Sequence, residues 1–343
     1  MRSINWLWNR SGKTTRQAKP LQRWRRTWAQ LEMLEDRLAP AAAFAQFLDP
    51  NPAPGNNFGA TVVPLSTGNV VITSPGDDFG GTNAGAVYLF NGATGALIST
   101  LRGSTAGDQI GSFGVTALSN GNYVVRSLSW DNGAATNAGA VTWGSGTAGV
   151  SGVVSASNSL VGSTGGDQVG LGGVTVLSNG NYVVRSAFWD NGIALDAGAV
   201  TWGDGNTGVK GVVSASNSLI GSTAGDQVGL DGVTVLSNGH YVVSSYIWNN
   251  GAATQAGAVT WGNGSSGVTG AVSASNSLVG SKGNDQVGSS GVTALSNGNY
   301  VESAVPSGTT EQRRMQSSDV GDGSSGVSGV VSASNSFRRI HDE

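Results

Sequence analysis

The sequence predicts an all-β protein built as an array of repeats, and three observations support that prediction. The phrase SNGN or SNGH begins at Ser119, Ser178, Ser237 and Ser296, each 59 residues after the last. Glycine accounts for 55 of the 343 residues without the three-residue period of collagen, which indicates many short turns. Valine and threonine are frequent between those turns, and both favour strands over helices.

Each repeat divides into four short strands separated by turns. In the second unit the predicted strands are Val115–Ser119, Asn122–Ser127, Ala140–Trp143 and Val153–Leu160. The pair Asn120-Gly121 predicts a two-residue type I′ turn, because asparagine and glycine tolerate positive φ best. Four short antiparallel strands with such turns are typical of a β-propeller blade. A β-solenoid, whose coils are usually shorter, is the alternative.

The chain is predicted to divide into a leader at residues 1–45 and a repeat array at residues 56–343, with units starting near residues 58, 113, 172, 231 and 290. Residues 1–40 hold nine Lys/Arg and three Asp/Glu, a net charge of +6, whereas the whole chain carries −3. Because this basic segment is short and separate from the repeats, it indicates targeting rather than nucleic-acid binding.

The leader contains the string LEMLEDRLAPAAAFA at residues 31–45. It resembles the LExLEDRxxPA motif near the start of many predicted extracellular proteins of planctomycete bacteria. The matching residues are Leu31, Glu32, Leu34, Glu35, Asp36, Arg37, Pro40 and Ala41. The resemblance implies that the leader directs the protein to an extracellular or cell-surface location. The alternative interpretation of this segment is an amphipathic surface helix from Leu21 to Leu38. No stretch approaches the roughly 18 apolar residues of a membrane-spanning helix, so no such helix is expected.

The first unit resembles an FG-GAP blade, the repeat of integrin-type propellers. The match rests on Phe58-Gly59, Ser74-Pro75 and the string GAVYLF at residues 85–90. The later units resemble a bacterial repeat family of unknown function. FG-GAP blades often bind calcium through an Asp-rich loop, but the tight turn STGN or SNGN stands at that position here. It offers too few oxygen ligands, so no metal site is expected.

Two sets of equivalent tryptophans have different expected roles. The first set lies where a strand meets a loop, where an exposed ring could stack on a sugar or anchor a partner. These candidate ligand contacts are Trp130, Trp189 and Trp248. A hydrophobic plug at the blade edge is the alternative role for them. The second set alternates with valines along a strand and is predicted to pack between neighbouring blades. It consists of Trp143, Trp202 and Trp261.

The recurring acidic and basic residues predict turns rather than ligand sites. Aspartate recurs within a G-D-Q-like turn at Asp108, Asp167, Asp226 and Asp285. Such a side chain usually accepts hydrogen bonds from its own backbone, and one aspartate per unit cannot surround calcium. Asp131 and Asp190 are replaced by Asn249 in the next unit, which also favours turn chemistry. Arg126 and Arg185 give way to Ser244, so a basic stripe is not sustained.

The sequence does not predict an enzyme. It has no cysteine and two histidines, and it lacks the G-x-S-x-G, P-loop and H-E-x-x-H motifs. We therefore expect no cofactor and a non-catalytic exported surface or matrix scaffold or adhesion protein, with glycans or other surface proteins as partners. Two alternatives stay open: a polysaccharide-acting enzyme on a propeller scaffold, and a frameshifted fragment without selected function.

The fifth unit departs from the repeat between Glu302 and Val320 and matches it again from Gly323. Ordinary codons read in shifted frames restore much of the repeat within this stretch and within residues 337–343. Both segments are therefore interpreted as frameshift products. As written, this unit is expected to lack its third strand and to leave an exposed sheet edge, which invites pairing with other chains.

Overall fold

The computed structural model describes residues 46–304 and 317–331, and within these ranges the regular structure consists of β-strands. The predicted leader, the middle of the altered fifth unit and the segment 337–343 lie outside the described residues. In the part of the chain that the structure describes, no helix is long and apolar enough to cross a membrane.

The strands follow one another in five units. The first unit contains β1 (Val62–Pro64), β2 (Asn69–Ser74), β3 (Ala86–Asn91) and β4 (Leu97–Arg102). The second contains β5 (Val115–Ala117), β6 (Tyr123–Ser127), β7 (Ala140–Gly144), β8 (Gly152–Val153) and β9 (Ser159–Val161). The third contains β10 (Gly173–Val176), β11 (Tyr182–Ser186), β12 (Ala199–Gly203), β13 (Gly211–Val212) and β14 (Ser218–Ile220). The fourth contains β15 (Gly232–Val235), β16 (Tyr241–Ser245), β17 (Ala258–Gly262), β18 (Gly270–Ala271) and β19 (Leu278–Val279). The fifth contains β20 (Val292–Ala294), β21 (Tyr300–Ala304), β22 (Ser317–Gly321) and β23 (Gly329–Val330).

Each of the first four sheets combines four antiparallel strands with a fifth, parallel strand from the next unit. The first sheet has the order β1-β2-β3-β4-β8, and the second has the order β5-β6-β7-β9-β13. Leu101 of β4 pairs with Gly152 of β8, and Leu160 of β9 pairs with Gly211 of β13. The prediction of an all-β repeat array is confirmed, and strand donation links each sheet to its neighbour.

The donated strand corrects the prediction of a single strand from Val153 to Leu160. A turn separates β8 from β9 within this segment. The Asn158 side chain stabilises the turn because its Oδ1 accepts the Ser155 N–H at 2.9 Å and its Nδ2 donates to the Val153 carbonyl at 2.9 Å. Asparagine and serine favour such local bonds over a continuous strand.

The hairpin between β5 and β6 has a longer loop than the predicted two-residue type I′ turn. Leu118 N–H bonds the Asn122 carbonyl at 2.8 Å, and Gly121 N–H bonds the Leu118 carbonyl at 3.0 Å. Gly121 has φ of 87°, whereas Asn120 does not have positive φ. This is a three-residue loop ending in a left-handed glycine, so the type I′ prediction was wrong.

Hydrophobic cores lie between consecutive sheets. Val71 and Leu89 of the first sheet pack in one cluster with Tyr123 and Val125 of the second. Val124 points to the other face, as strand alternation requires, and packs against the third unit. Equivalent clusters join the third unit to the fourth and the fourth to the fifth. A unit therefore has to stack on its neighbours to bury both faces of its sheet.

The fifth unit keeps its third strand, contrary to the prediction from its altered sequence. Strand β22 pairs with β21, and Tyr300 lies opposite Gly321 as Tyr123 lies opposite Gly144. Strand pairing uses backbone groups, so the string SSDVG can replace AVTWG in the hydrogen-bond ladder.

The altered sequence instead affects the core between the fourth and fifth units. Glu302 is 1% exposed and occupies the position of Val125, Val184 and Val243 in the preceding units. Burying an ionisable group where the fold provides an apolar site costs free energy. The frameshift interpretation stays a prediction.

Candidate functional site

The strand directions divide the connections of each unit between two ends of the sheet. The SNGN hairpin loops and the turns such as residues 145–149 lie at one end, which we name the clasp end. Loops such as residues 103–112 and 128–139 lie at the other, which we name the loop end.

The clasp end joins consecutive units through side-chain hydrogen bonds. Asn120 Nδ2 and Asn122 Nδ2 each donate to the Gly205 carbonyl at 2.8 Å, and Trp143 Nε1 donates to the same oxygen at 3.0 Å. The same contacts recur at Gly264, which accepts from Asn179, Asn181 and Trp202. The repeated SNGN phrase and the strand tryptophan are therefore parts of one contact between units.

The strand tryptophans pack as predicted. Trp143, Trp202 and Trp261 are half-buried, and each packs against the core shared with the following unit. Their expected position between neighbouring units is confirmed.

The three candidate ligand-contact tryptophans have no exposed ring. Trp130, Trp189 and Trp248 are each 4% exposed and belong to the cores between successive units. The expectation of an exposed aromatic face was wrong, because the neighbouring sheet covers the strand-to-loop boundary. Packing as a plug at the loop end accounts for their position, and no ligand contact is proposed for them.

The recurring aspartates stabilise the loops of the loop end by accepting backbone hydrogen bonds. Asp108 is fully buried; its Oδ2 accepts the Ser104 and Thr105 N–H groups at 2.8 Å, and its Oδ1 accepts the Asp131 N–H at 3.1 Å. Asp167 makes the equivalent three contacts. Burial raises the pKa of Asp167, while the backbone hydrogen bonds oppose that rise. The predicted turn role is confirmed, and the carboxylate also connects two loops.

The position occupied by Asp131, Asp190 and Asn249 also stabilises a turn. Asp131 Oδ1 accepts the Asn137 N–H at 2.8 Å, and Asp190 Oδ1 accepts the Asp196 N–H at 2.8 Å. Asn249 accepts the equivalent N–H at 2.9 Å without a negative charge. The charge is therefore not needed for this contact.

The arginines are held partly inside the array. Arg185 Nη1 donates to the Gly229 and Leu230 carbonyls at 3.3 Å. Burial lowers the pKa of both Arg126 and Arg185, and for Arg185 the charge of Asp231 opposes this change.

The loop end presents pairs of non-glycine residues in the left-handed backbone region. Gln109 has φ of 46° and Asn83 has φ of 54°, and the Gln109 N–H donates to the Asn83 carbonyl at 3.1 Å. Three further pairs are Gln168 with Asn137, Gln227 with Asp196, and Gln286 with Gln255. Among the described residues ten non-glycines have positive φ, and these four pairs account for eight of them.

These pairs define the chemistry that the loop end can offer. Asn83, Gln109, Asn137 and Gln255 are exposed, and the other members are half-buried. Seven of the eight side chains are amides, which can both donate and accept hydrogen bonds and carry no charge, and the eighth, Asp196, is a carboxylate. Within the described ranges no group of three or more His, Cys, Asp or Glu could hold a metal ion. The sequence showed the G-D-Q phrase, but nothing in it indicated positive φ at the glutamine.

The fold and these contacts define the chain as an all-β array of sheet repeats linked by strand donation. The chain belongs to the family described as "Repeat of unknown function (DUF5650)", whose model matches residues 64–112, 117–171, 176–230, 235–289 and 294–337. The expected relation of the later units to a repeat family of unknown function is confirmed, and the first unit matches the same family.

Comparison with other proteins adds no function. No curated protein matches the chain. A solved structure of the PQQ-bound form of aldose sugar dehydrogenase from Streptomyces coelicolor is similar at 10% identity, covering 76% of this chain and 78% of that one, with a TM-score of 0.27. That similarity carries no argument about catalysis.

Proposed function

We propose that this chain is a non-catalytic scaffold or adhesion protein of the cell surface or extracellular matrix, and that its loop end binds hydroxyl-rich polymers such as glycans. The observation that supports the proposal is the row of residue pairs in the left-handed region, in which seven of the eight side chains are amides. The resemblance of residues 31–41 to the LExLEDRxxPA motif, which implies a surface location, is consistent with it.

The choice of residue at these positions is informative because glycine would be less strained. A non-glycine residue in the left-handed region costs about 1–3 kcal/mol, and glutamine lacks the local tolerance of asparagine and aspartate. The chain uses glycine at many other left-handed positions, including Gly107 and Gly166 in the same loops. At the five glutamine positions it retains the side chain, which indicates that the amide has a use.

An amide-rich surface suits a polymer that displays hydroxyl groups. Each amide can bond a hydroxyl as donor or acceptor, and the pairs recur in four successive units. Weak contacts at several units add through effective concentration when the ligand is itself a repeating chain. Catalysis is not part of the proposal, because the recurring acidic side chains of the loop end accept hydrogen bonds from backbone N–H groups.

The test replaces Gln109 and Gln168 together by glycine. This change relieves backbone strain, so the free energy of unfolding should rise by about 1 kcal/mol or more. It also removes two amides, each worth about 0.5–1.5 kcal/mol of hydrogen bonding, so retention on a bound polysaccharide should fall about tenfold. The measurements are thermal melts and affinity electrophoresis in gels containing cellulose derivatives, dextran or soluble chitosan.

The matched control is Asn206→Gly, which removes an exposed amide at the clasp end. It should leave retention unchanged. If the double variant melts higher but is retained as strongly as the parent protein, the amides have no role in binding and the proposal fails. The same conclusion follows if none of the polysaccharides retains the parent protein.

A further inference from the structure

Among the described residues, no unit precedes the first sheet to cover its outer face. Ile72, Tyr88 and Phe90 on this face form a separate cluster with Phe47 and Phe58, which come from the segment before β1. The Phe47 and Phe90 rings lie 5.5 Å apart between centroids. This aromatic cover extends over only part of the face.

The uncovered part forms a groove of about 550 Å³. Pro50 and Asn51 line it together with Phe79, Arg102 and residues 97–100, and Ser151 and Gly152 of the donated-strand segment also contribute. Phe79 is 54% exposed, Leu97 45% and Ile98 36%. These are the side chains of an apolar binding surface rather than of a finished core.

The groove exists because the first unit replaces two core residues of the other units. Asp77 makes the backbone contacts that Trp130 makes in the second unit, since each donates its N–H to the carbonyl three residues earlier and accepts from the Gly85 or Gly139 N–H. Arg102 pairs with Ala86 as Val161 pairs with Ala140. A carboxylate and a guanidinium therefore stand where an indole and a valine fill the space between later units.

The polar groups in the floor of the groove bond to one another. Asp77 is fully buried; it accepts the Tyr88 hydroxyl at 2.5 Å, the Asn51 amide at 2.9 Å and the Phe79 N–H at 2.9 Å. These contacts leave little hydrogen-bonding capacity for a ligand. A sugar, which carries hydroxyls around its ring, would leave several of them without partners.

Arg102 is the cation of the groove. Its guanidinium lies 4.4 Å from the centroid of the Phe79 ring. Among the described residues no carboxylate forms an ion pair with it. It is half-buried, so a carboxylate that reached it would make a hydrogen-bonded ion pair partly shielded from water.

We propose that this groove binds an extended peptide segment of a partner protein, in which apolar side chains flank an acidic residue. The apolar side chains would cover Phe79, Leu97 and Ile98, and the acidic side chain would pair with Arg102. Ser151 and Gly152 lie beside the groove at β8, the outermost strand of the first sheet, where an extended peptide can add backbone hydrogen bonds. The proposal does not rest on the proposed function, because the groove is lined by none of the residue pairs in the left-handed region.

The experiment measures fluorescence anisotropy of a labelled octapeptide of alternating valine and glutamate, with a matched valine–glutamine peptide and soluble oligogalacturonate as comparison probes. The glutamate peptide should bind about tenfold more tightly than the glutamine peptide. Arg102→Gln should abolish that difference, and Phe79→Ser should weaken both peptides. Lys210→Gln and Phe113→Ser, which change an exposed cation and an exposed ring outside the groove, should alter neither. Thermal melts of every variant establish that the fold is retained.

The proposal is overturned if the two peptides bind equally or not at all, or if Arg102→Gln still discriminates between them. Preference for oligogalacturonate over the glutamate peptide would reassign the groove to an acidic sugar. Equal loss of binding in Phe113→Ser and Phe79→Ser would show that the peptide binds elsewhere.

Discussion

The two ends of the sheets use their polar side chains differently. At the clasp end, Asn120 and Asn122 reach the Gly205 carbonyl in the next unit, 83–85 residues away along the chain. At the loop end, Asp108 bonds backbone groups between three and 23 residues away. The clasp end uses its amide donors to join units. The loop end is held by buried carboxylates, and four side-chain amides of its left-handed pairs are exposed, those of Asn83, Gln109, Asn137 and Gln255.

The clasp end therefore contributes to the stacking of the units, whereas the exposed side chains of the loop end are available for binding. Replacing a clasp side chain should disturb the stacking of two units, because the same group serves both packing and hydrogen bonding. Replacing an exposed loop amide should weaken binding without disturbing the stacking of the units. Stability and binding measurements on matched variants can therefore distinguish the two ends.

The largest effect is expected for Trp202→Ala at the clasp end. The change removes an indole that packs against the core of the third and fourth units and that donates to the Gly264 carbonyl at 3.0 Å. Truncation of a core aromatic costs about 3–5 kcal/mol, so the free energy of unfolding in urea should fall by about that amount. Trp202→Phe, which keeps most of the packing, should lose less. A loss below about 1 kcal/mol for the alanine variant would show that the clasp does not hold the units together.

The fifth unit provides a second test, because it keeps its clasp but loses part of its core. Asn238 and Trp261 still donate to the Gly323 carbonyl, at 2.8 and 3.0 Å. Glu302→Val should stabilise the array by about 1–4 kcal/mol, since it restores the apolar residue of the other units, and a packed apolar residue is often more stable than a buried charged contact. The reverse change, Val243→Glu in the fourth unit, should destabilise it by a similar amount in the same melts. If neither variant shifts the melting curve, this core position does not contribute to the stacking.

The cause of the change at Glu302 is tested separately by resequencing the gene from codon 295 past codon 343. The frameshift interpretation predicts bases that restore tryptophan at position 307 and continue the repeat. A confirmed sequence as written would favour the view that the unit has decayed in the organism.

The sequence predicted the features that recur with the period and missed those that depend on neighbouring units. The strands, the packing of Trp143 and the turn role of Asp108 follow from local pattern and composition. The two-residue strand Gly152–Val153 has no pattern of its own and exists only by pairing with another unit. Trp130 was misjudged for the same reason, because the sheet that covers it belongs to a different repeat.

The groove on the first unit could have been found from the sequence by aligning that unit with the second. Asp77 then falls opposite Trp130, and Arg102 falls opposite Val161. Two charged residues in place of two core residues indicate a face that is not covered in the same way. The sequence alone does not show which residues line the groove. It also does not show that Asn51 and Tyr88 donate hydrogen bonds to Asp77 in the floor of the groove, because these contacts form only in the folded chain.

The smallest expected effect concerns pH and the tyrosines that begin the second strand of each later unit at the clasp end. Burial raises the pKa of Tyr123 to about 12 and that of Tyr300 to about 12. The unfolded chain loses these protons near pH 10, so their contribution to stability is complete below pH 10 and is lost as the pH rises toward 12. Each tyrosine should lower the free energy of unfolding by about 1.4 kcal/mol per pH unit in that range. Urea melts between pH 9 and 11.5 should show a shallower decline for Tyr123→Phe than for the parent protein. An identical decline in the two proteins would mean that the hydroxyl ionises equally well in the folded array, and that this part of the clasp end is open to water.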